Sequence, residues 1–96
     1  MIATMSTIET VLVHITGRVQ GVGYRAWTAD EARRLGLSGW VRNERDGSVR
    51  ALLSGPPETV AAMLAAMRTG PRHAAVVAVV PTPTPENPPR TFEIRA

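Results

Sequence analysis

The sequence predicts an α+β sandwich in which an antiparallel sheet carries two helices on one face. Three observations lead there. Apolar residues alternate with period two in several short segments, they recur at helical spacing in two others, and the segments follow one another as strand, helix, strand, strand, helix, strand. With 96 residues, 44% of them hydrophobic, the chain suits one core and has no room for a second.

The first strand runs from Glu9 to Thr16, with Val11, Val13 and Ile15 on one face and Thr10, Leu12, His14 and Thr16 on the other. Residues 1–8 before it are expected to form a disordered extension, and 9–96 the domain. The strand ends at Gly17, and residues 18–24 hold two more glycines without sustained periodicity, which reads as a loop. From Arg25 to Leu35 the small and apolar positions Ala26, Ala29, Ala32 and Leu35 recur at helical spacing, with Arg33 and Arg34 in the last turn and Gly36 just beyond. Those are the marks of an amphipathic helix and its stop.

Ser38–Asn43 and Val49–Ser54 flank Glu44-Arg45-Asp46-Gly47, where Asp-Gly supplies the positive φ of a tight hairpin. Pro56-Pro57-Glu58 opens a second helix that carries Val60, Met63, Leu64 and Met67 on one stripe and stops at Gly70-Pro71. Met63 and Met67 are expected to be core. Ala74–Val80 is β-branched and reads as a fourth strand. Pro81–Pro89 holds five prolines in nine residues and is expected to be a polyproline-like surface connection, after which Thr91–Ile94 alternates as a short edge strand. Two strand-helix-strand units with right-handed crossovers, joined by a hairpin, close as a ferredoxin-like βαββαβ sandwich.

Composition narrows the chemistry. The chain has no cysteine, which removes a disulfide framework, a thiol nucleophile and a thiolate zinc site. All eleven basic residues are arginine, which removes Schiff-base and Walker-type lysines and leaves guanidinium and backbone N–H to build any anion site. No basic and apolar leader opens the chain and no apolar run is long enough to span a bilayer, so a cytoplasmic protein without a membrane partner is expected. A nucleic-acid partner is not expected either. The net charge is only +3, and the strands Val11–Thr16 and Val49–Ser54 carry no aromatic on which a base could stack, unlike an RNA-binding sheet of the same architecture. His14 and His73 read as strand-face and edge residues rather than phosphate carriers, and Glu44 and Asp46 as solvated turn acids rather than a metal pair.

Two stretches remain. Gly17-Arg18-Val19-Gln20-Gly21-Val22-Gly23-Tyr24-Arg25 leads from a strand end into a helix start, so its backbone N–H groups can turn inward beside the positive end of a helix, with the planar fork of Arg25 at the mouth. Alone, such a loop is equally a plain connection with a surface arginine. In Gly39-Trp40-Val41-Arg42-Asn43 the residue-level reading is a hairpin with Trp40 in the core and Asn43 capping the turn. The topology admits another, in which Asn43 aims its amide at an anion held by the first loop and orients a water.

Together the two stretches resemble the signature segments of the acylphosphatase family: Gly-x-Val-Gln-Gly-Val-Gly-Tyr-Arg, then Gly-Trp-Val-Arg-Asn followed by Gly47, Val49 and Gly55 at the family's spacing. The resemblance extends through Gly70-Pro71 to Phe92-Glu93-Ile94. It implies hydrolysis of a small-molecule acyl phosphate to carboxylate and inorganic phosphate. Phosphoryl transfer from so good a leaving group needs mainly positioning and charge stabilisation, so no metal or cofactor is expected, and nothing in the sequence demands more than a monomer. It also implies roles: Arg25 and the backbone N–H groups of Gln20, Gly21, Val22, Gly23 and Tyr24 bind the phosphoryl group, and Asn43 positions the attacking water. A free-standing enzyme is expected rather than an accessory module of a larger carbamoyl-transfer protein. The chain departs from the family at Tyr24, where phenylalanine is usual and the extra hydroxyl needs water or a partner, and in its proline-rich segment.

Overall fold

A computed structural model of the chain describes residues 7–96; residues 1–6, most of the expected disordered extension, lie outside the described residues. The elements follow the expected order, as β1 (Glu9–Arg18), α1 (Tyr24–Arg34), β2 (Ser38–Asn43), β3 (Val49–Gly55), α2 (Pro57–Met67), β4 (Ala75–Pro83) and β5 (Phe92–Ile94). The strands form one sheet in the order β4-β1-β3-β2-β5. The first four are antiparallel as expected. The appended β5 pairs parallel to β2, so the complete sheet is mixed.

Period two sorts the side chains. Val11, Val13 and Ile15 of β1 and Val49, Ala51 and Leu53 of β3 form one buried cluster with Ala29 and Ala32 of α1 and Val60, Met63 and Met67 of α2, which puts both helices on the same face of the sheet. Trp40 sits one residue out of phase with Val41 and therefore lies on the other face, opposite Leu52. It does not fill the core between the layers as its motif suggested. It is only 2% exposed because two guanidiniums cover it, Arg42 at 4.5 Å and Arg95 at 5.3 Å from the ring centroid.

α1 begins and ends one residue earlier than the sequence predicted, and the glycine expected to stop it does so. Gly36 N–H donates to Arg33 O and Leu37 N–H to Ala32 O, the paired bonds of a Schellman stop with glycine in the left-handed position (φ 74°). The proline-rich segment departs from expectation. Its first three residues belong to β4, with Pro81 opposite Val13 and Pro83 opposite Val11. The hydrogen bond from Thr84 N–H to Thr10 O fixes the ladder so that even-numbered residues bond to β1, leaving Pro81 and Pro83 at the outward positions of an edge strand, where no N–H is needed.

The rest of the segment does connect, and it must reach far. β4 and β5 occupy opposite edges. Four strand spacings of about 4.8 Å separate them, or about 19 Å. Residues 84–91 in extended polyproline form span about 25 Å, whereas a helix of the same length would cover about 12 Å. Among the described residues no helix is long and apolar enough to cross a membrane.

Candidate active site

The loop between β1 and α1 is pinned from below by Val19 and Tyr24, each 1% exposed. Val22 also packs against the core and, alone among residues 19–25, takes no part in the wall of the cleft described below. Between these anchors Gly21 (φ 73°) and Gly23 (φ 78°) adopt the left-handed conformation that residues with a Cβ avoid, and Gly23 forms the N-cap of α1. Among the described residues no backbone or side-chain acceptor takes the N–H of any residue from Gln20 to Ala26.

This concentration of free donors sits at a helix N-terminus whose first turn contains no acidic residue and does contain Arg25. A cation there is opposed by the helix dipole. An anion placed here would meet both the free N–H groups and the guanidinium.

Arg25 and Asn43, eighteen positions apart in sequence, line a single cleft of about 280 Å³ together with Gln20, Gly21, Gly23 and Ile94. Tyr24 also contributes to its wall. Arg25 is oriented by one hydrogen bond, from Nη1 to the carbonyl of Arg95 at 3.0 Å, and its remaining N–H groups are free to serve the cleft. Arg95 is itself held to β2, its N–H donating to Val41 O.

Asn43 ends β2, paired with Val49 on the helix-facing side of the sheet. It does not cap the turn. Asp46 does that work, accepting from both Ser48 N–H (2.9 Å) and Ser48 Oγ (2.6 Å), and these bonds hold its carboxyl below the usual carboxylate range. Gly47 supplies the expected positive φ. The Asn43 side chain makes no hydrogen bond among the described residues, and its Oδ1 is buried. A buried amide oxygen without a partner costs about 1–3 kcal/mol, a cost that folding alone gives no reason to keep.

Two side chains of the loop do what the sequence did not reveal. Gln20 Nε2 donates to two carbonyls of the hairpin turn, Glu44 O and Ser48 O, both at 2.8 Å. The Tyr24 hydroxyl donates to Met67 O at 2.8 Å, supplying a partner to a carbonyl in the last turn of α2. Burial pushes its phenol pKa above the ordinary value. Ile94 at the cleft wall and the Arg95 carbonyl were also unforeseen, since nothing local marks a residue some seventy positions away as a neighbour of Arg25.

The other titratable candidates are elsewhere. His14 faces the open side of the sheet in register with Arg50, His73 is exposed in a turn, and Glu44 pairs with Arg42 at 2.7 Å. β1 and β3, adjacent inside the sheet, carry no aromatic residue, and neither does β4.

A family model described as Acylphosphatase matches residues 11–94. The chain is 54% identical over 87 residues to an acylphosphatase of Rhizobium etli, covering 90% of this chain and 93% of the relative. It is 53% identical over 92 residues to Acylphosphatase 2 of Ralstonia nicotianae, covering 95% and 97%. Among solved structures it superposes on the crystal structure of acylphosphatase from Bacillus subtilis with a TM-score of 0.87 at 30% identity, covering 94% of this chain and all of that one.

Proposed function

The chain belongs to the acylphosphatase family and is an enzyme that hydrolyses acyl phosphates, and from that premise we propose how its residues do so. The substrate's phosphoryl group sits in the cradle between β1 and α1. Its oxygens take hydrogen bonds from the free N–H groups of residues 20–25 and from the guanidinium of Arg25. Asn43, on the wall of the cleft, holds a water against the phosphorus atom through its side-chain amide. The water oxygen forms the new P–O bond, the bond to the acyl oxygen breaks, and the carboxylate departs with the bonding pair. The water proton passes to a phosphoryl oxygen, giving inorganic phosphate.

The observation that carries this reading is the pairing, in one cleft, of unpartnered N–H donors at a helix N-terminus with a side-chain amide whose oxygen has no other partner. Donor groups already aimed at the site of developing charge stabilise it without reorganisation. Phosphoryl transfer is served chiefly by positioning and charge stabilisation, and an acyl phosphate brings a good leaving group, so the proposal includes neither a metal nor a protein base.

The test is release of inorganic phosphate from benzoyl phosphate in the presence of a chelator. Wild-type enzyme turns over there. Arg25→Ala weakens inhibition by inorganic phosphate and lowers kcat/KM by about a hundredfold or more. Asn43→Ala keeps phosphate binding and loses about two to three powers of ten in kcat. Full activity in Asn43→Ala refutes its role, a wild type dependent on added metal refutes the metal-free reading, and an essential group titrating near neutrality in the pH-rate profile refutes proton transfer to the phosphoryl oxygen.

A further inference from the structure

We infer that the side chain of Gln20 is a positioning residue: it staples the β2–β3 hairpin to the phosphate cradle and so holds Asn43 over the bound phosphoryl group. The inference rests on the reading of Asn43 as the water-orienting residue. Gln20 belongs to the loop whose amides face the anion, yet its own side chain turns the other way. The two N–H bonds of its carboxamide are both used, one on Glu44 O and one on Ser48 O. Those carbonyls belong to the two residues that close the turn, because Glu44 N–H also donates to Ser48 O at 2.9 Å. The amide group is thus a peg across the mouth of the hairpin.

The geometry makes the peg matter for Asn43. Asn43 is the last residue of β2 in the ladder with β3, and Glu44 follows it directly. Beyond Asn43 the chain is held by the turn's own bonds and by Gln20. The Asn43 amide makes no bond of its own among the described residues, so its direction depends on the backbone at residues 43–44. Without the peg, the turn keeps its internal bonds but loses its tether to the loop 24 to 28 positions earlier in the chain. Displacement of a reacting group by about 1 Å costs up to about a hundredfold in rate.

The experiment compares wild type, Gln20→Glu and Gln20→Ala. Gln20→Glu keeps the shape but opposes an anionic acceptor to two carbonyl oxygens. Gln20→Ala opens the site for water to hydrate them, and carries the same test if Gln20→Glu fails to fold. Both leave the backbone N–H of residue 20 in place. With benzoyl phosphate as substrate and inorganic phosphate as competitive inhibitor, kcat per folded molecule falls roughly tenfold to a hundredfold in both variants, while in the uncharged Gln20→Ala the phosphate inhibition constant stays within about threefold. Amide exchange of Glu44 and Gly47 accelerates and that of α1 does not.

A kcat within about twofold of wild type overturns the inference, because a side chain that serves stability alone lowers the melting temperature and not the turnover of folded enzyme. Equal factors lost in kcat and in phosphate binding by Gln20→Ala also overturn it, since they place the side chain in the cradle itself. The premise fails separately: wild type without turnover, or Asn43→Ala with full turnover, removes the proposed mechanism and this inference together.

Discussion

Replacing Tyr24 with phenylalanine removes one oxygen atom and tests how the cradle's helix is tied to the rest of the protein. The hydroxyl donates to Met67 O in a site where the residue is 1% exposed. Met67 O takes no other hydrogen bond among the described residues, while the neighbouring carbonyls of Ala65 and Ala66 accept from Arg68, Thr69 and Gly70. Stranding a buried carbonyl costs about 1–3 kcal/mol, and removing the phenol's own desolvation offsets part of it. We expect Tyr24→Phe to lose about 1–2 kcal/mol of stability. For a domain of this size that lowers the melting temperature by about 4–16 °C.

The same substitution has a pH signature with a definite sign. Burial raises the folded-state pKa of Tyr24, whereas the unfolded chain ionises near about 10. Below that value the contribution is fully present. Above it the unfolded state alone loses the proton, so the protein destabilises by up to about 1.4 kcal/mol per pH unit until the folded phenol ionises as well. The chain has one tyrosine, no lysine and no cysteine, so between about pH 9 and 11.5 no other side chain of those types competes for the signal. Urea unfolding across that range, followed by tryptophan fluorescence, gives a falling stability for wild type and a flat one for Tyr24→Phe. Parallel curves, or a difference at pH 7 below about 0.3 kcal/mol, would refute both the hydrogen bond's role and the linkage.

Gly39→Ala places a Cβ 1.8 Å from the carbonyl oxygen of Leu52 at a φ of +140°, so β2 cannot keep its register against β3; we expect a loss of at least about 3 kcal/mol in urea unfolding, and a variant of wild-type stability contradicts the close approach. Pro81→Val combined with Pro83→Val restores outward N–H groups to the β4 edge beside the exposed Val80; sedimentation velocity then shows larger species growing with concentration relative to wild type, and an unchanged profile contradicts the view that these prolines blunt the edge.

Much of the fold is legible because its signals are local. The alternation of Val11, Val13 and Ile15, the helical spacing of Val60, Met63 and Met67 and the glycine after α1 each specify an element from residues a few positions apart. The motif glycines likewise announce the cradle, since a loop needing positive φ at Gly21 and Gly23 selects glycine whatever lies around it. Harder to see is what each side chain meets. Asn43 looks like a turn cap until Asp46 is found to do the capping, and Trp40 looks like core until the pairing phase turns it to the outer face.

Sequence alone determined the elements, the cradle and the chemistry available to it: arginine and amide, with no cysteine or lysine to compete. Tertiary structure decided how these were assembled. The bonds that finish the site join residues 24, 28, 43 and 70 positions apart, namely Gln20 to Glu44, Gln20 to Ser48, Tyr24 to Met67 and Arg25 to Arg95. Each exists only once the sheet has closed, because a single hydrogen bond is worth about 1 kcal/mol net and cannot by itself offset the entropy of closing so long a loop. The prolines of β4 follow the same logic. Their composition speaks for an extended chain, but only the pairing with β1 decides that two of them become the outward positions of a strand.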